Sequence, residues 1–72
     1  MELKTARFYR KMTQINLFAA TRIKQTRISQ IENGWPPTEN EKTLIARALG
    51  YQIDEIDWPK FAAPVFEKGG AK

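Results

Sequence analysis

Lys24, Gln25, Thr26, Arg27, Ser29 and Gln30 place six hydrogen-bonding side chains within seven consecutive positions. Their chemistry is recognition rather than bond-making. Glutamine carries both donors and an acceptor, threonine a hydroxyl, and lysine and arginine carry donors with positive charge. Such groups suit phosphate oxygens and base edges. Ile28 alone interrupts the run, and Ile31 follows three residues later, so the apolar residues recur at helical spacing and leave the polar ones on the free side. Upstream, Ile15, Leu17 and Phe18 mark a second apolar-periodic segment, joined to the first across Thr21-Arg22-Ile23. The stretch from Thr13 to Gly34 therefore reads as helix, tight turn, helix.

Residues for covalent or metal chemistry are scarce. The chain has no cysteine and no histidine, which removes thiolate sites and most zinc and proton-transfer chemistry. Ser29 has no base near it in sequence, and Glu39 and Glu41, two apart, diverge on a helix. Neither an enzyme nor a cofactor or metal site is expected. No apolar run approaches membrane-spanning length, and MELKTARFYRK lacks the apolar centre of a secretory signal. A cytoplasmic protein is the expectation.

Charge points the same way as the polar run. The 72 residues carry a net +4, unevenly spread. Lys4, Arg7, Arg10, Lys11, Arg22, Lys24 and Arg27 stand against Glu2 in the first thirty positions, a local +6. Residues 31–59 hold Lys42 and Arg47 against Glu32, Glu39, Glu41, Asp54, Glu55 and Asp57, a local −4. A field of this kind attracts a polyanion and binds it salt-dependently, although a solvated basic face with no ligand would have the same composition.

The elements that must position these residues follow from spacing and caps. A first helix is expected from Glu2 to Lys11, with Leu3, Ala6 and Tyr9 or Arg10 on one stripe. Arg7 lies beside that stripe and needs a carboxylate. Glu32 is the only acidic residue between positions 3 and 38, so these two are expected to pair. Met12 points inward, and Thr13 caps a second helix running to Ala20. Two readings fit Gln14, a phosphate grip beside the helix start or an ordinary exposed glutamine. The turn lacks glycine, which predicts a positive φ at Arg22, and Ile23 plugs the gap between helices.

The third helix is expected over Lys24–Asn33, weakly capped, with Gly34 as its stop. Trp35-Pro36-Pro37 forms a stiff connector. Thr38 and Glu41 make a capping box for a fourth helix, with Leu44, Ile45, Ala48 and Leu49 inward and Gly50 as its end. A fifth short helix or turn is expected over Ile53–Trp58, with Ile53 and Ile56 facing the core and Pro59 closing it. In the tail, Phe61, Val65 and Phe66 suggest a dimer contact or β-arm, and Gly69 to Lys72 disorder. Trp35 and Trp58 fit either a core cap or a partner site. One domain, residues 1–58, and a tail, 59–72, make up the organisation. At this size a single core is only marginally sufficient, and self-association is expected to add stability.

Over residues 3–58 the chain resembles the phage repressor and Cro family of helix-turn-helix proteins. The likeness rests on Leu3 with Arg7, Met12-Thr13-Gln14, Leu17, Thr21, Ile23-Lys24-Gln25, the run Arg27 to Gly34, and the ending Leu44, Ala48-Leu49-Gly50, Ile53-Asp54-Glu55-Ile56. The resemblance implies an all-α, five-helix lambda repressor-like domain with its third helix in the DNA major groove. It also implies a homodimer on a two-fold operator. By that likeness Gln25, Thr26 and Gln30 touch base edges, with Arg27 able to take guanine if it turns inward. Gln14, Arg27 and Asn33 hold phosphates, to which charge and position add Lys11, Arg22 and Lys24. Arg7 and Glu32 match a salt bridge beneath the recognition helix. Three positions depart from the family: Phe18 where a small residue is usual, Arg22 for the turn glycine, and Lys24 for a serine or threonine cap. The first must splay the helix pair or point aside, and the other two cost about 1 kcal/mol each. The same fold also serves as an adaptor or as an antitoxin with a protein partner, which is the alternative reading.

Overall fold

Helix boundaries in this chain are set by its caps. A computed structural model describes residues 1–60, with α1 at Leu3–Tyr9, α2 at Gln14–Thr21, α3 at Gln25–Glu32 and α4 at Glu39–Leu49. Thr13 accepts from Asn16 N–H at the start of α2, and Thr38 accepts from Glu41 N–H at the start of α4. In both, the third residue's side chain bonds back to the cap's own N–H, closing a capping box. Each of the four helices is followed within two residues by one with positive φ: Lys11 (56°), Arg22 (65°), Gly34 (110°) and Gly50 (79°). Lys11 explains why α1 stops at Tyr9 rather than continuing. The N–H groups of Lys11 and Met12 fold back onto Phe8 O and Arg7 O at 2.9 and 3.0 Å, a reversal that satisfies the last carbonyls. Arg22 takes the left-handed conformation expected for the turn, its N–H reaching Phe18 O at 2.6 Å.

The described residues are all-helical, with four α-helices and not five. Ile53–Glu55 makes a single 3₁₀ turn. An α-helix here would send the Asp57 N–H to Ile53 O. That carbonyl instead accepts the Trp58 indole N–H at 2.9 Å and Ile56 N–H at 3.3 Å, while Asp57 N–H donates to Met1 O at 2.6 Å. Glu2 and Asp57 form one isolated parallel bridge there. The expectations for Phe61, Val65, Phe66 and Gly69 to Lys72 lie outside the described residues.

The core comprises Leu3, Ala6, Leu17, Ile23, Ile28, Ile31, Ile45, Ala46, Leu49 and Ile56, with Met12, Leu44, Ala48, Tyr51 and Trp58 packed around it. Leu17, Ile28, Ile31 and Ile45 are fully buried, each side chain contributing about 1.5–3 kcal/mol. Several apolar positions differ from the expected stripes. Ile15 is 61% exposed and Ile53 39%, Tyr9, expected as an alternative to Arg10, is 70% exposed, and Ala46 joins α4's inward side, more fully covered than Ala48, which still packs against the core. In α2 the inward stripe is Leu17 with Thr21, one turn apart. Thr21 tolerates burial because its hydroxyl donates to Leu17 O at 2.7 Å and accepts Ile23 N–H at 3.1 Å. At the other end of the core, the Arg10 guanidinium lies 4.2 Å from the centre of the Tyr51 ring, a cation–π contact linking the end of α1 to the end of α4. No helix of the described residues is long and apolar enough to cross a membrane.

Candidate nucleic-acid interface

The geometry of α3 separates an apolar side from a polar one. At about 100° per residue, Gln25, Thr26, Ser29, Gln30 and Asn33 fall within an arc of about 140°, and Ile28 and Ile31 lie opposite its centre. Both isoleucines are buried, while Gln25, Thr26, Gln30 and Asn33 are exposed and Ser29 is half-buried. Lys24 precedes the helix as an N-cap residue without a side-chain cap bond, so the first N–H groups of α3 have no partner within the helix. Lys24, Arg22 and Lys11 are exposed and make no ion pair among the described residues. Phe18, 37% exposed, lines a surface notch with Lys24, Gln25 and Thr26 and lies outside the buried core.

Beneath this surface a polar chain ties three helices together. Arg7 Nε and Nη2 donate to the two oxygens of Glu32 at 2.7 and 3.2 Å, and Arg7 Nη1 donates to Met12 O at 3.0 Å. The side chains are 11% and 7% exposed, so this is a largely desolvated pair. Gln14 Nε2 donates to Glu32 Oε1 at 3.0 Å, and Gln14 Oε1 accepts from Gln25 Nε2 at 3.3 Å. Gln14 is therefore half-buried, with its amide oxygen and one N–H engaged within the protein. One N–H of its amide remains uncommitted.

Arg27 differs most from expectation. Its Nε and Nη2 each lie 2.9 Å from an oxygen of Glu41, and Nη2 also donates to Pro36 O at 3.0 Å. The guanidinium therefore faces α4 rather than standing free for a base edge or a phosphate. Sequence spacing gave no sign of this pair: Glu41 reads as a cap residue, and it serves as both cap and counter-ion. The hydrogen bond to Glu41 raises the Arg27 pKa, against a smaller opposing effect of desolvation. In turn the Arg27 hydrogen bond holds the Glu41 carboxyl below its ordinary range, outweighing burial, with help from Thr38. Stability from Glu41 is accordingly fully present above the unfolded carboxylate pKa and is lost as pH falls through the lowered native value. Glu41→Gln keeps a capping side chain but removes the titration, so the acid limb of its stability–pH curve should be shallower than that of the wild type. Urea midpoints between pH 3 and 6 test this, and superimposable limbs would contradict it.

Trp58 packs on the core, whereas Trp35 is 53% exposed just beyond α3, and Phe8 and Tyr9 are 76% and 70% exposed. Among the described residues no group of acidic, histidine or cysteine side chains could hold a metal ion. Comparison with protein-family models, with characterised proteins and with solved structures finds no match.

Proposed function

We propose that the protein is a sequence-specific DNA-binding transcriptional regulator, a repressor of the phage repressor and Cro type, that docks α3 in the major groove as a homodimer. The observation that carries this reading is the exposed polar arc of α3, backed by buried Ile28 and Ile31 and flanked by Lys11, Arg22 and Lys24, cations with no ion pair among the described residues. In this reading Gln25, Thr26 and Gln30 read bases. Lys11, Arg22 and Lys24 hold phosphates, as do Asn33 and the remaining N–H of Gln14. Arg27 positions its neighbours. Gln25 commits one N–H to Gln14, which leaves its second N–H and its oxygen to match adenine N7 and N6.

Gln25→Ala should relax preference at one base position and cost about 1–3 kcal/mol on the preferred duplex, while Lys24→Ala weakens all duplexes alike. Fluorescence anisotropy on preferred and scrambled duplexes separates the two effects. An unchanged preference in Gln25→Ala would remove that side chain from readout. The exposed Phe8, Tyr9 and Trp35 favour a second reading, an antitoxin or adaptor whose main partner is a protein, because large aromatic side chains anchor interfaces. An adjacent gene encoding a small toxin would promote it.

A further inference from the structure

Gln25 and Gln30 stand on the same exposed arc but are held differently. Arg27 Nη1 lies 3.5 Å from Gln30 Oε1, one helical turn along α3. An arginine offers only donors, so the amide atom facing it is the oxygen. That guanidinium cannot swing away freely: Glu41 takes Nε and Nη2 at 2.9 Å each, and Pro36 O takes Nη2 at 3.0 Å. Glu41 is itself fixed, its Oε1 accepting Thr38 N–H at 2.9 Å at the start of α4. A continuous chain of hydrogen bonds thus runs from the cap of α4 to the outer surface of α3.

We propose that Glu41, acting through Arg27, is a positioning residue for specificity: it turns the Gln30 amide so that nitrogen, not oxygen, faces outward. This rests on the DNA-binding reading above. Gln30 then turns its two N–H donors outward. Guanine, with N7 and O6 both acceptors, satisfies that pattern, whereas adenine pairs N7 with the N6 donor and needs the oxygen that Gln30 turns toward Arg27. Two glutamines on one helix therefore ask for different purines, adenine at Gln25 and guanine at Gln30.

The test is selection of duplexes from a random pool by the wild type, Gln30→Ala, Arg27→Met and Glu41→Gln, with melting temperatures recorded for each. Gln30→Ala identifies the base position that Gln30 reads, as the one whose preference disappears. The wild type should prefer guanine over adenine there by roughly tenfold. Arg27→Met, which frees the Gln30 oxygen, should shift that position toward adenine. Glu41→Gln, which can still close the α4 capping box, should erode the guanine preference there while leaving the Gln25 position unchanged. Adenine preferred by the wild type at that position would overturn the proposal, as would guanine preference retained in both Arg27→Met and Glu41→Gln. In either case the DNA-binding reading would stand. Failure of the wild type to enrich any motif would overturn both.

Discussion

Replacing Glu32 by alanine is expected to lower the free energy of unfolding by about 3–5 kcal/mol. The expectation follows from what remains. Without Glu32, the Arg7 guanidinium keeps only Met12 O as a partner in a position where its side chain is 11% exposed, and Gln14 loses the acceptor for its amide N–H. An uncompensated buried cation is far costlier than the pair is stabilising, because the pair's attraction chiefly offsets the desolvation of both charges. Total stability for a chain of this size is about 4–11 kcal/mol, so the loss is a large share of it. Urea denaturation measures the change. Removing both charges at once, as Arg7→Met with Glu32→Leu, should restore most of the loss. A single-variant loss below about 1 kcal/mol would mean that water reaches the pair and that it does not anchor α3 to α1.

Raising salt from 50 to 200 mM is expected to weaken binding to the preferred duplex by about 10³-fold. Lys11, Arg22 and Lys24 are exposed and make no ion pair among the described residues, so the proposed dimer would bring twice three cations to the backbone. With a slope of about −0.9 per neutralised phosphate, log affinity should fall with log salt at about −5. Alanine at any one of the three should flatten that slope by about 2, counted over both copies. Arg27→Ala should leave the slope nearly unchanged, because its charge is already met by Glu41. A flat slope for the wild type would argue against a nucleic-acid partner.

Much of the scaffold was legible because its signals are local. Thr38 with Glu41, and Gly34 and Gly50 after apolar stripes, mark helix ends through backbone hydrogen bonds within a few residues. The positive φ of Arg22 followed from a turn without glycine. The Arg7–Glu32 pair could be anticipated across 25 positions only because acidic residues are so sparse in that half of the chain. What escaped was decided by competition between groups distant in sequence. Ile15 is exposed while Thr21 is buried, since Thr21 can satisfy its hydroxyl on Leu17 O and apolarity alone does not rank the two. The last element is a 3₁₀ turn shorter than Ile53–Trp58 because Met1 and Trp58 capture the groups a longer helix would have used. Arg27 looked like a free cation because nothing near it in sequence reveals Glu41, fourteen residues away and already occupied as a cap.

Selection of bound sites from a random duplex pool bears most directly on whether the exposed arc of α3 reads DNA. The predicted result is a two-fold symmetric motif with half-site centres about 10 base pairs apart, abolished when Gln25, Thr26 and Gln30 are all replaced by alanine. No enrichment, or the same motif recovered by the triple variant, would contradict it.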